Sequence, residues 1–278
     1  MILIDNSQLF FSSYFSHGHD TGEVNDNLVR HTLLSQYARI NDRYRSRFGD
    51  IVICNDADNY WRKKIYPGYK QQRKEQKEKN QNVDWKHLYE VFDRVRNEIR
   101  ENFPYKSIRV NHCEADDVMY VLCKHYSDTE KMLVVSSDKD MIQLMKFKNV
   151  SIFSPKTDSI IKSVGNLDEV LFSHVLRGDS SDNIPNVLTS TDSFLNKKER
   201  QRPMTAKRIV EFSQNNSLID QDNLKRNRSL IDLSYIPEEY EKNILMEFEK
   251  TTPADRKNIF DYLVSKKMKL LLESVESF

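Results

Sequence analysis

Residues 132–140 read MLVVSSDKD, an apolar run that ends in two carboxylates one residue apart, Asp138 and Asp140. Leu133, Val134 and Val135 have no polar residues alternating with them, the mark of a strand covered on both faces. In an open parallel sheet the carboxyl ends of the strands face the ligand crevice, so Asp138 and Asp140 are expected at the rim of one. The same grammar recurs along the chain. ILI at 2–4 ends in Asp5, and IVICN at 51–55 ends in Asp56. SIRV at 107–110 leads into Glu114, Asp116 and Asp117, and a helical pattern over 171–176 runs into Asp179 and Asp182. If these converge, as many as nine carboxylates share a cleft. Two carboxylates about 4 Å apart repel by roughly 4 kcal/mol at an effective dielectric near 20. Such a cluster must take up protons or bind cations, and all-oxygen donors suit Mg²⁺ or Mn²⁺ rather than zinc.

The rest of the chain fits around these strands. Residues 1–6 read as a strand and 7–24 as a polar loop. Leu28, Leu34, Tyr37, Ala38, Ile40 and Tyr44 predict a long helix over 25–48, stopped by Gly49. Asp84 caps a helix with Leu88, Val91, Phe92, Val95 and Ile99 on one face, ending before Pro104. A strand at 107–111, a helix at 114–126, the strand at 132–137, a short helix at 139–146 and a strand near 149–154 follow. This alternation predicts an α/β domain over 1–165 with a mainly parallel central sheet flanked by helices. Residues 166–278 carry helical patterns and no convincing strand, so a helical C-terminal region is expected.

Charge distribution says more than net charge, which is +1. Between Arg62 and Lys79 eight basic residues face only Glu75 and Glu78, with Tyr60, Trp61, Tyr66 and Tyr69 interleaved. That mixture suits base stacking and phosphate contact better than a plain solvated linker. With no continuous apolar stripe, residues 60–82 are expected to be ordered by a polyanionic ligand. A second run, Lys197, Lys198, Arg200, Arg202, Lys207 and Arg208, is opposed only by Glu199. An acidic cleft flanked by basic segments suits a metal-dependent enzyme acting on a polyanion.

Other classes lose their footing. No apolar stretch approaches the roughly 20 residues that span a bilayer, and MILIDNSQLF reads as a core strand, not a signal peptide. Cys54, Cys113 and Cys123 are odd in number and sit in apolar runs, which argues for a reducing compartment. His112, Cys113, Cys123 and His125 match no zinc-finger spacing. There is no GxSxG, P-loop or GxGxxG. Each acidic motif alone could be a helix N-cap with a first-turn acid. Recurrence after several buried strands favours a shared cleft, since caps do not require it.

Taken in order, Asp5, the EADD at 114–117, the SSDKD at 136–140 and the GDSSDNIP at 178–185 resemble the motifs of the flap endonuclease and 5′→3′ exonuclease family. WRKKIYPGYKQQR at 61–73 is similar to that family's arch, and IDLSYIP at 231–237 extends the resemblance, strongest to the T-even phage branch, over nearly the whole chain. The resemblance implies a phosphodiester hydrolase that removes RNA primers and adjacent DNA from lagging-strand fragments, a ribonuclease H-type activity. It implies that Asp5, Asp56, Glu114, Asp116, Asp138, Asp140 and Asp179 or Asp182 hold two Mg²⁺ ions, for which Mn²⁺ can substitute, with Asp117 outside them. Lys70 and Arg73 would contact the scissile phosphate and Tyr66 would stack on a terminal base. Arg62, Lys63 and Lys64, with Lys197, Lys198, Arg200, Arg202 and Lys207, would bind nucleic acid, and the segment around residues 179–207 would form a helix–loop–helix that grips duplex DNA. Implied substrates are RNA–DNA hybrid and 5′-flap or nicked duplex DNA. Implied partners are a single-stranded-DNA-binding protein and a sliding clamp, and the implied setting is a monomer in the cytoplasm of an infected bacterial host. The sequence departs from the family at 186–202, NVLTSTDSFLNKKERQR, where the usual Gly-x-Gly turn and its monovalent ion are replaced by a longer basic stretch. Two rivals are a PIN-type ribonuclease, which lacks the arch and long helical half, and a non-catalytic binder of branched DNA, which needs no intact metal site.

Overall fold

The computed structural model describes residues 1–16, 24–73, 82–162, 165–195 and 200–278. Its sheet comprises β1 (Ile2–Asp5), β2 (Ile51–Cys54), β3 (Lys106–Ile108), β4 (Met132–Val135), β5 (Val150–Ser154) and β6 (Ser159–Ile160), in the order β3-β2-β1-β4-β5-β6. All pairings are parallel except β5 with β6. The chain winds outward from β1 through β2 to β3, then returns to place β4 on the other side of β1. The reversal of strand order therefore lies between β1 and β4, where open α/β sheets form their crevice. Asp5 ends β1, and Asp138 follows β4 by three residues.

The apolar strands are covered on both faces, as their composition requires. Ile2, Ile4, Ile53, Leu133 and Val135 face one core, while Leu3, Val52, Cys54, Met132 and Val134 face the other. The first core is closed by α1 (Asn6–Ser16), α2 (Asp26–Phe48) and α4 (Trp85–Asn102). The short α3 (Arg62–Ile65) lies between β2 and α4. The second core is closed by α5 (Ala115–Tyr126) and the later α9 (Glu238–Lys250). All five apolar positions read on the 85–102 face are buried, and Asp84 caps that helix by accepting from the His87 amide. The expected loop at 7–24 is instead helical from Asn6 to Ser16, because Leu9, Phe10 and Tyr14 share a buried side and Asp5 accepts from the Gln8 amide at 3.0 Å.

Downstream, α6 (Leu167–Arg177), α7 (Ala206–Gln214) and α8 (Gln221–Ile231) gather a small third core around Val175, Leu176, Val187, Phe212 and Leu230. Gly178 turns the chain after α6 at φ 68°, and a Cβ there would lie 2.4 Å from the Pro185 carbonyl oxygen. The last residues return to the first core: α10 (Asn258–Ser265) contributes Ile259, Tyr262 and Leu263, and Phe278 packs edge-on against Phe103.

Candidate active site

Asp5, Asp56, Asp116 and Asp138 line one open cleft of about 630 Å³, together with Lys63, Lys70 and Arg73. The carboxylates come from the ends of β1, β2 and β4 and the first turn of α5, so the sheet itself sets their spacing. Several are partly held by backbone or hydroxyl donors. Asp56 accepts from the Ala115 amide at 3.0 Å, Asp138 from the Asp140 amide at 2.9 Å, and Asp5 from Ser136 Oγ at 3.3 Å. The remaining charge is uncompensated. Burial, followed by the Asp56 carboxylate, pushes the Asp5 carboxyl up, and burial with Asp138 and Asp5 beside it pushes Asp116 well above the usual carboxylate range. A group of oxygen donors that strains against its own charge fits hard divalent cations.

Glu114, an ion ligand by the resemblance, is buried, does not line the cleft and faces cations instead. It accepts from Lys70 Nζ, from Arg62 at 2.7 Å and from the Tyr69 hydroxyl at 3.0 Å. Burial works to raise the Glu114 carboxyl, but Lys70 and Arg62 outweigh it and hold the group low. Asp182 pairs with Arg73 at 2.6 Å and lies 3.7 Å from Lys70 Nζ. Lys70 and Arg73 thus line the same cleft as the metal-type carboxylates, with Lys70 at φ 56° in left-handed backbone.

A second group sits beside the cleft. The His174 imidazole lies between Asp140, at 3.3 Å from Nδ1, and Asp179, at 3.2 Å from Nε2. The three donor atoms fall within 4.8 Å of one another. Asp179 also receives Lys139 at 2.9 Å and the Ser181 amide and hydroxyl at 2.7 and 2.6 Å. His174 did not figure in the sequence reading. Its signal was present in HVLRGD, a histidine in the last turn of a helix that runs into an acidic motif.

Several sequence-based roles change. Arg62, expected on nucleic acid, is buried: it forks onto Asp117 at 2.8 and 3.1 Å, reaches Glu114, and donates to the Leu230 carbonyl at 3.1 Å. Asp117, which the resemblance sets outside the ion ligands, does not line the cleft; with Arg62, Trp61 Nε1 and the Glu114 amide as donors, its oxygens are saturated. Tyr66, expected to stack on a base, is fully buried in the third core beside Tyr69. In the segment 60–73 the aromatics pack onto the C-terminal helices instead of standing free. Residues 74–81 of the expected arch lie outside the described residues. Lys63 reaches the cleft, while Lys64 is exposed and donates to the Tyr240 hydroxyl at 3.0 Å. Arg200 and Arg202 are exposed around a separate hollow of about 380 Å³ next to Thr189 and Asn223, and Lys207 is exposed on α7. Lys197 and Lys198 lie outside the described residues.

Comparison with known proteins agrees with this geometry. Residues 1–170 match the family model described as 5′-3′ exonuclease, N-terminal resolvase-like domain, and residues 165–278 match T4 RNase H, C terminal. The chain is 30% identical to the ribonuclease H of Enterobacteria phage T4 over 99% of its own length and 95% of that protein. It is 28% identical to a 5′-3′ exonuclease of Buchnera aphidicola, covering 67% of this chain and 65% of that one. In fold it is similar to the phage T5 5′-exonuclease solved with zinc, with TM-score 0.62 at 18% identity over 90% and 98% of the two chains. It also resembles the T5 flap endonuclease solved with DNA and metal ions, with TM-score 0.60 at 18% identity over 99% and 98%.

Proposed function

Because the chain belongs to the 5′–3′ exonuclease family and is thereby a phosphodiester hydrolase, we propose that it cuts near the 5′ end of a strand annealed to DNA, using divalent ions held by Asp5, Asp56, Asp116 and Asp138. The natural substrates would be RNA primers with the adjacent DNA, during phage DNA replication in an infected host. The observation that carries this reading is the convergence of those four carboxylates in a cleft whose mouth holds Lys63, Lys70 and Arg73. Ions bound there, Mg²⁺ first among them, would polarise the scissile phosphate and activate water. The chain's own residues do the rest. Lys70 and Arg73 are held at the mouth by Glu114 and Asp182, and exchanging those carboxylates for a phosphate would bring positive charge to where negative charge accumulates during cleavage. Tyr69, hydrogen-bonded to both Glu114 and Asp182, keeps the two carboxylates in register.

The test is release of short 5′-phosphorylated products from a 5′-flap and from a nicked RNA–DNA hybrid, with and without Mg²⁺. Asp138→Asn should cut turnover roughly 100-fold or more, because a lost donor weakens metal-assisted chemistry, while flap binding stays within a few-fold. Near-normal turnover of the variant at saturating Mg²⁺ would move the metal site elsewhere. Binding of branched DNA with no cleavage under any divalent ion would leave a non-catalytic DNA binder.

A further inference from the structure

We propose that Asp140 and His174 form a mixed oxygen–nitrogen metal site, oriented by Asp179, that favours a first-row transition ion such as Mn²⁺ over Mg²⁺. The proposal rests on the divalent-ion nuclease reading above and adds to it a second site beside the cleft, one new donor and the ion preference that follows.

The roles of the three residues separate on their hydrogen bonds. Asp179 has no donor capacity to spare for an ion. One oxygen accepts from the Ser181 amide and hydroxyl, the other from Lys139 and His174 Nε2. A carboxylate fixed in this way and accepting one ring N–H sets the tautomer and points the other nitrogen at the metal, the usual arrangement around a ligating histidine. That other nitrogen, Nδ1, faces Asp140 Oδ1 at 3.3 Å. Asp140 Oδ1 is buried and has no hydrogen-bond partner among the described residues, so the short approach from Nδ1 does not amount to a hydrogen bond. Two donors that each sit about 2.1 Å from an ion lie roughly 3 to 3.4 Å from each other. An unsatisfied oxygen facing a ring nitrogen at that spacing is the donor pair that an ion would close. The alternative is a protonated His174 lying between two carboxylates with no ion, and it predicts a different result in each measurement below.

An imidazole changes which ion is held. Mg²⁺ prefers oxygen and sheds water reluctantly, whereas first-row transition ions bind imidazole more strongly; Mn²⁺, which oxygen donors also suit, is the least nitrogen-seeking of them but still accepts an imidazole better than Mg²⁺ does. The cleft carboxylates Asp5, Asp56, Asp116 and Asp138 supply only oxygen, so the two sites should differ in preference, one hard and one accommodating.

Mn²⁺ serves as the probe because it is paramagnetic. With full-length protein loaded with Mn²⁺, pulsed electron paramagnetic resonance should show a ¹⁴N coupling that becomes a ¹⁵N coupling when histidine alone is labelled. In His174→Gln the coupling should vanish, and calorimetry should show Mn²⁺ affinity at one site weakened about tenfold or more while Mg²⁺ affinity changes by less than about threefold. Circular dichroism checks that the variant is folded, and the wild-type coupling stands regardless of how the variant behaves. Bound Mn²⁺ without a histidine coupling, or a coupling that survives in His174→Gln, overturns the proposal. Flap cleavage in Mg²⁺ is scored separately: cleavage without histidine coupling defeats this inference alone, whereas absent cleavage defeats the nuclease reading.

Discussion

Arg62 carries the sharpest change of role at the level of single residues. In sequence it belongs to a basic run and looks like a phosphate contact. In the fold its guanidinium is buried against Glu114 and Asp117, both also buried, and it donates to the α8 carbonyl of Leu230. It therefore fastens the acidic first turn of α5 to the C-terminal helices and sets where Glu114 stands. Removing one member of a buried ion pair leaves its partners charged and unsolvated, which costs about 3–5 kcal/mol. Arg62→Ala should lower the unfolding free energy by about that amount, read by urea titration. Arg62→Lys should recover only part of it, because an ammonium cannot fork onto a carboxylate. The salt dependence of DNA binding should be unchanged wherever the variant is folded. A slope reduced by about one unit, the signature of a lost phosphate contact, would return Arg62 to the DNA surface.

At the level of elements, Glu98 shows what joins one end of the chain to the other. It sits on α4 and accepts from Arg30 of α2 at 2.7 and 2.8 Å, and from Tyr262 and Lys266 at the end of α10 at 2.9 Å each. Burial works to raise its carboxyl, but these hydrogen bonds outweigh burial and hold it down at about 2. A folded-state value below the unfolded one means that the stabilisation is complete above the unfolded value of 4.5 and is lost as pH falls from there through about 2. Glu98→Gln should be less stable than wild type by a constant amount above about pH 5, with the gap shrinking on acidification. Thermal melts across that range check it, and a gap independent of pH would mean that the charge of Glu98 contributes nothing. Elements differed in how well the sequence announced them. α2 and α4 were legible because their buried positions repeat at helical spacing, over about five turns in α2 and about three in α4. α1 was not, because serines interrupt its apolar side and Leu9, Phe10 and Tyr14 are its only fully buried apolar residues. The carboxylates at strand ends were legible because strand composition fixes burial and chain direction fixes which end meets the crevice. The partners of Arg62, the burial of Tyr66 and the approach of His174 to Asp140 were not, since each contact spans about thirty residues or more and depends on how the helices dock.

At the scale of the whole molecule, the basic surface and the folding unit can be separated by experiment. Arg200, Arg202 and Lys207 are exposed on the C-terminal region, away from the carboxylate cleft. Neutralising all three should weaken duplex binding and flatten the slope of log K against log salt; an unchanged slope would make them ordinary solvated charges. The folding unit is a different matter. The family models meet at residues 165–170, yet the apolar cores do not divide there. Ile259, Tyr262, Leu263, Met268, Leu271 and Phe278 are buried in the core that covers one face of the sheet, and Leu233, Ile236, Tyr240 and Ile244 in the core that covers the other. Fully burying a large apolar side chain stabilises by about 1.5–3 kcal/mol, and ten of them together exceed the roughly 5–15 kcal/mol by which a domain is stable. A fragment of residues 1–170 would expose both faces at once and also leave Arg62 without the Leu230 carbonyl. It should show no cooperative unfolding transition and should bind a dye for exposed apolar surface, while the full chain melts in one step. A fragment that melts cooperatively would establish that the sheet and its N-terminal helices close a core by themselves, and that the C-terminal helices add to a finished domain instead of completing it.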